Sequence, residues 1–426
     1  MLYRCCCQNP SKRKREGRKG SGNTYSSEID MPTYSILNIF LTEYMEIGMH
    51  GRTAQRQQLK RKLEAGISIH MPAPRRIGKT WTLNRLASDL AADGWCAIEV
   101  DVEGIRTPEA FARELCKRIE AQSTLKAKFE AHFSQRIANL LGGGFGDRPL
   151  DALGKVDPLE FLETLIASLD EAGTRSAILI DEIAYFFLHC AEDDPKGANS
   201  FAYRLRALEQ RYKNVRWVLT GSIGLDTIAK QYGIEGAFVD FETFVLEPFT
   251  TEEARSFIRD PEIQQQFNHM FDASDADFDS MFTQLGWLAP FYLKLVANEV
   301  RPAEPGADGK PPIVSTAEFE AAFERLLQPN RQSEFAVWRE HVSKNLPTAL
   351  RQIAMHLLHR LSETPDGEIL DTLLARAEQA QKGATKRQVR DVLAILINDG
   401  LITKCGDRYA FRSGLVRRYW HEYEAE

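Results

Sequence analysis

The sequence predicts an α/β fold, a parallel sheet with helices on both faces, followed by a helical segment and a small unit of helices and a β-hairpin. Three observations predict it. Short apolar runs alternate with amphipathic stretches between about residues 50 and 248; the runs cease after Pro248; and the last eighty or so residues read as three helices, a hairpin and a final helix. A chain of 426 residues holds about three domains on a prior of roughly 150 residues each. An apolar content of 43% can fill their cores.

Residues 1–30 carry Cys5, Cys6 and Cys7, a KRKREGRKG block, then Gly and Ser, the composition of a disordered basic tail. A nucleic-acid-binding arm would have this composition, as would a solvated tail or translation begun upstream of Met31 or Met45. The latter two are preferred, since such charge blocks are usually tails. Residues 31–248 form the predicted α/β core. Strands are expected at 67–71, 95–101, 177–181, 215–220 and near 243–246, with helices at about 78–92, 107–122, 124–140, 158–172 and 198–212. A glycine-rich loop begins at Gly142. Over 249–345 the pattern is helical. Thr250 and Thr251 before Glu252 and Glu253 mark a helix start, 302–312 is a turn-rich loop, and helices resume near Ser315, with Thr316 and Glu318 at the start. In 346–426, helices at about 348–361, 367–380 and 385–398, β segments at 401–404 and 408–411, and a helix at about 413–423 predict a winged helix-turn-helix.

Composition excludes several classes. A formal charge of −6 does not suit a protein that coats nucleic acid through global charge, although local basic patches remain open. Cys96, Cys116, Cys190 and Cys405 are scattered among apolar residues, no Cys-x-x-Cys pair occurs, and the total of seven is odd. Reduced thiols are expected, with neither a zinc site nor a disulfide framework. No apolar stretch nears the roughly 20 residues that cross a bilayer, and no apolar segment follows the basic block. The expectation is a cytoplasmic protein with no membrane partner.

Ala73, Pro74, Arg75, Arg76, Ile77, Gly78, Lys79 and Thr80 follow the P-loop pattern Gly-x-x-x-x-Gly-Lys-Thr/Ser, with Ala in the first place. Between a strand and a helix, such a turn aims successive backbone N–H groups at a β-phosphate, and the helix N-terminus adds its dipole. Gly78 permits close approach, Lys79 brings a cation to the β- and γ-phosphates, and the Thr80 hydroxyl suits Mg²⁺. If position 73 needs a positive φ, Ala costs about 1 kcal/mol there. Residues 178–182, Ile-Leu-Ile-Asp-Glu, form a Walker B pattern. Asp181 would hold Mg²⁺ through water, and Glu182 would orient or deprotonate the attacking water. Thr220, Gly221 and Ser222 end the next strand, where Ser222 either senses the γ-phosphate or caps a helix. The expected ligands are ATP or ADP with Mg²⁺. Glu182, Lys79 and Ser222 are the catalytic candidates, 73–80 with Trp81 line the nucleotide, and Thr80 with Asp181 face the metal.

With Gly51, Arg52, Leu59 and Leu63 upstream, and with PRRIGKT, ILIDEIAYFF, TGSIGL and LEPFTTEEA, the chain resembles archaeal-type P-loop ATPases of the STAND/AAA+ group over roughly residues 48–425. The resemblance implies an ATPase core, a helical lid and a winged helix. It implies a switch whose nucleotide state controls that arrangement and oligomerisation, with copies of itself or a partner protein, often in prokaryotic defence or stress responses. It places Arg52 near the base and Pro290 near the adenine, and it sets the Walker A and B strands on either side of the Thr220 strand. Arg75 and Arg76 match the family's Pro-Arg-Arg, in a structural or inter-subunit role. Residues 409–420 resemble the end of the family's winged helix.

The alternative is a nucleotide-gated DNA-binding protein, similar in plan to initiator or transposition ATPases. Lys386, Arg387 and Arg390, with Lys404, Arg408 and Arg412 around the wing, would touch DNA. Against this, Asp391, Asp399 and Asp407 dilute the patch, and such winged helices often pack on the nucleotide core. Arg204, Arg206 and Arg211 are candidates for a finger acting in trans, or a solvated helix face. His356 and His359 read as ordinary helix residues.

Overall fold

The structure, a computed structural model, describes residues 52–121, 157–222, 224–306, 309–346 and 348–424. The basic tail, the 124–140 helix and the Gly142 loop lie outside the described residues. The central sheet has strands β1 (Ile69–Pro72), β2 (Cys96–Asp101), β3 (Ser176–Asp181), β4 (Val215–Gly221) and β5 (Glu242–Thr243) in the order β2-β3-β4-β1-β5, all parallel. β4 therefore lies between β1 and β3, and the loops leaving all three emerge at one edge. Every residue of β3 is buried, which is why its sequence is a continuous apolar run rather than an alternation.

Alternating side chains supply two cores. Ile69, Met71, Leu179 and Val218 pack with Leu59 and Leu63 of α1 (Thr53–Glu64) and Leu83, Leu86 and Leu90 of α2 (Lys79–Ala92). On the other face Ile98, Val100, Ile178, Ile180 and Leu219 meet α3 (Pro108–Glu120), α4 (Pro158–Glu171), α5 (Ile183–Asp193), α6 (Pro195–Arg211) and α7 (Leu225–Tyr232). Thr107 and Asp157 start α3 and α4 by accepting from Ala110 N and Leu159 N, each ahead of a proline at the first helical position. Three of these helices, α1, α5 and α7, were not expected. Tyr185, Phe186, Phe187 and Cys190 bury several sides of α5 at once, so its sequence lacks the one-sided period that marks a surface helix. α7 spans only eight residues. The last strand is shorter than expected, because only Ile69 and His70 of β1 pair with Glu242 and Thr243.

After Pro248 come α8 (Thr251–Arg259), α9 (Pro261–Gln264), α10 (Asp275–Leu285), α11 (Pro290–Glu299), α12 (Thr316–Leu326) and α13 (Ser333–Asn345). Capping boxes formed by Thr250 with Glu253 and by Ser315 with Glu318 start α8 and α12. Strands do not stop entirely here. β6 (Asp272–Ala273) pairs parallel with β7 (Ile313–Val314), each too short to show a period. The C-terminal elements are α14 (Thr348–Glu363), β8 (Glu368–Ile369), α15 (Leu370–Ala380), α16 (Lys386–Asn398), β9 (Ile402–Cys405), β10 (Arg408–Phe411) and α17 (Gly414–Tyr423). The expected start of the helix at 367 is instead β8, which pairs with β10 and completes an antiparallel sheet in the order β8-β10-β9. One apolar cluster runs from Met71 through Leu285, Trp287 and Trp338 to Leu393 and Trp420. The packing is thus continuous across residues 248 and 345. Among the described residues no helix is long and apolar enough to cross a membrane.

Candidate nucleotide site

β1 ends at Pro72, and α2 begins at Lys79 with Gly78 as its N-cap at φ 94°. A Cβ on Gly78 would meet nothing closer than Pro290 Cγ at 3.9 Å and Arg52 Nε at 4.0 Å. The left-handed backbone, rather than crowding, is what requires glycine. Ala73 is different. Among the described residues the non-glycine positive φ values belong to Arg52, Arg76 and Glu182, so Ala73 bears no such strain. Within the loop the cost falls on Arg76, at φ 70°, on the order of 1 kcal/mol. Its guanidinium lies 3.9 Å over the Phe291 ring, which holds it there. All three strained residues flank this one edge of the sheet, the clustering expected of a functional site.

The acidic pair faces the loop. Thr80 Oγ1 donates to Asp181 Oδ2 at 2.6 Å, and Lys79 Nζ stands 3.6 Å from Glu182 Oε1. Ser222 donates to the other oxygen, Glu182 Oε2, from both its backbone N and its Oγ, each at 2.9 Å. Glu182, at φ 57°, is also the residue that turns the chain from β3 into α5. Helix α7 begins at Leu225 with Gly224 as its cap, so Ser222 is not a helix cap. It is a clamp on Glu182. Burial pushes the Asp181 carboxyl above the usual range, against the opposing hydrogen bond from Thr80. Burial likewise pulls the Lys79 ammonium down, with Glu182 opposing. A carboxylate and a hydroxyl sharing one short contact are hard oxygen donors, and the Lys79 ammonium, paired at 3.6 Å with Glu182, reaches Asp181 only as a weaker opposing charge. This pair fits Mg²⁺, which when bound would neutralise phosphate charge.

The remaining candidates surround the loop. Arg52 donates to Ile77 O and Glu247 O, both at 2.7 Å, and to Gln55 Oε1 at 2.6 Å, with its guanidinium 5.2 Å from the Phe249 ring centre. Burial lowers its pKa to about 10. It braces the loop against the start of the helical segment, beside the place expected for the base. Pro290 opens α11 next to Gly78, Ile77 is buried in the core, and Trp81 is half-buried on the first turn of α2. Arg75 reaches across to α5, where its Nη2 donates to Tyr185 Oη at 2.7 Å.

Pro74 makes a contact the sequence did not suggest. Gly400, just past α16, sits so close that a Cβ there would lie 2.3 Å from Pro74 Cβ. Nearby, Asn398 Nδ2 donates to Thr227 Oγ1 of α7 at 3.2 Å. The C-terminal unit thus rests directly on the phosphate loop and on the element that follows Ser222.

Residues 68–229 match a family model described as an AAA domain. No curated protein matches the chain. Among solved structures, the Walker-type ATPase PABY2304 of Pyrococcus abyssi is similar with a TM-score of 0.58 and 16% identity, over 87% of this chain and 95% of that one. The chain has the AAA+ P-loop fold. The Aeropyrum pernix ORC2 protein, solved as ADPNP–ADP complexes, shares that AAA+ fold with a TM-score of 0.52 and 13% identity, over 88% of this chain and 94% of that one.

Proposed function

We propose that the chain is an ATP-binding and ATP-hydrolysing switch, in which nucleotide state sets the arrangement of core, helical lid and winged helix, and with it self-association or partner binding. The observation that carries this reading is the line from Lys79 through Glu182 to Ser222, beside the pair of Thr80 and Asp181. Ser222 fixes one oxygen of Glu182, while the other faces Lys79. A terminal phosphate competes for Lys79 and leaves that second oxygen free, already oriented, to accept a hydrogen bond from water. Phosphate oxygens would take their remaining donors from the N-terminus of α2.

The contact between Pro74 and Gly400 supports coupling. A rearrangement of the phosphate loop must be met by the C-terminal unit, since Gly400, at φ 84°, has no side chain to yield. Hydrogen exchange at residues 396–402 is expected to differ between the ADP state and a state with a slowly hydrolysed ATP analogue. Identical exchange in the two states would remove the coupling. A prokaryotic defence or stress response is the setting the sequence resemblance suggests for such a switch.

A second reading, DNA binding gated by nucleotide, is favoured by exposed Lys386, Arg387 and Arg390 on α16. Lys386 is 3.6 Å from Asp371 and Arg387 is 3.9 Å from Asp391, exposed pairs that phosphates can displace. The wing residues contribute less. Arg408 donates to Gly367 O at 2.9 Å, and Arg412 is half-buried, 5.3 Å from the Trp287 ring centre. Replacing Lys386, Arg387 and Arg390 together with Ala is expected to abolish salt-sensitive duplex binding in a gel shift at low salt. Absence of any wild-type shift with ATP or ADP rules this reading out.

A further inference from the structure

The arginines expected to serve as fingers are committed elsewhere. Arg206 donates to Asp240 Oδ2 at 2.6 Å and Gly236 O at 2.8 Å, Arg211 is bonded to Glu163, and Arg204 lies 3.6 Å from that same carboxylate. Arg75 is placed differently. Its guanidinium lies 5.3 Å from the centre of the Tyr185 ring and donates to the phenol oxygen. Tyr185 follows Glu182 by three residues, one turn along α5, so this anchorage ties Arg75 to the helix that Glu182 opens. Its charge also reaches the Lys79 ammonium, whose pKa falls mainly through burial and in smaller part through Arg75.

What holds Arg75 is weak for a cation. The phenol oxygen gives it one hydrogen bond, and Glu103 is 3.9 Å away with over half its side chain (54%) in solvent. Among the described residues the buried Nε finds no hydrogen-bond acceptor. A partly exposed guanidinium whose ion pair to Glu103 is long and shared with solvent, and which projects from the phosphate loop itself, is poised for an anionic oxygen.

We propose that Arg75 is an arginine finger supplied in cis, which leaves Tyr185 for the terminal phosphate of ATP and stabilises the charge of phosphoryl transfer. This rests on the ATPase reading above. In the step, the oxygen of water forms a bond to the γ-phosphorus, and the bond from that phosphorus to the β–γ bridging oxygen breaks. The bridging oxygen leaves on ADP with the electron pair, and the water proton passes to Glu182. Arg75 exchanges no proton and supplies only charge and donors.

Arg75→Ala is expected to lower kcat by about 100-fold or more, with ATP affinity, read with a fluorescent ATP analogue, changed far less. Retained binding shows that the variant is folded. Arg75→Lys keeps the charge but not the fork and is expected to fall between Ala and wild type. The origin of the finger is read by mixing. Arg75→Ala protein combined with Lys79→Ala protein, which offers an intact Arg75 but no working ATP site, is expected to recover no turnover. Recovery on mixing would overturn the cis assignment, as would an Arg75→Ala kcat close to wild type. Failure of the ATPase reading itself shows differently, as absence of phosphate release from the wild-type protein.

Discussion

Glu182→Gln is expected to bind ATP as tightly as the wild type while its turnover falls by about two to four orders of magnitude, the usual contribution of a positioned general base. The geometry makes this substitution unusually clean. The amide oxygen of Gln can still accept from Ser222 N and Oγ, which now hold Glu182 Oε2 at 2.9 Å, so the strained turn into α5 keeps its clamp. What disappears is the negative oxygen facing Lys79 and the incoming water. Phosphate release measured beside ATP binding on the same sample separates the two. A variant that releases phosphate at the wild-type rate would refute the role given to Glu182.

Lys79→Ala is expected to weaken ATP binding by about 100-fold or more. A buried ammonium bonded to phosphate contributes roughly 1.5–3 kcal/mol as a charge-assisted hydrogen bond, and about 1.4 kcal/mol is tenfold in affinity. Lys79 is 7% exposed, and Glu182 stands 3.6 Å away. Its removal leaves the acidic pair without that cation, so a further Coulomb penalty falls on the phosphates. Calorimetric titration with Mg-ATP reads the loss. Unchanged affinity would mean that nucleotide binds elsewhere on the chain.

The positions of the candidate residues were legible because a phosphate-binding motif is local in sequence. The loop from Ala73 to Thr80 is a contiguous turn, and Asp181 with Glu182 ends an unmistakably buried strand. The order of strands around β4 agrees with the family resemblance, since β1 and β3 do flank Thr220. Other features were hidden for physical reasons. The α5 segment is apolar on several sides and so lacks a helical period. Ser222 is polar at a strand end, where a cap and a carboxylate clamp look alike until the helix is seen to start at Leu225. Asp399 and Gly400 read as an ordinary helix end, and Gly400 does adopt the left-handed conformation of one. That local signal masks its approach to Pro74, more than 300 residues away in sequence. Tyr185 and Phe291 carried no sequence signal beyond hydrophobicity, yet they hold Arg75 and Arg76.

On the proposed reading, Lys79, Thr80, Asp181 and Glu182 form one working ATPase site. The most direct test is phosphate release by purified wild-type protein with ATP and Mg²⁺, measured together with the number of ATP molecules bound per chain. One bound ATP per chain is expected, with continuous, magnesium-dependent release of phosphate over many turnovers. Folded protein that fills the site with Mg-ATP and yet releases no phosphate would contradict it.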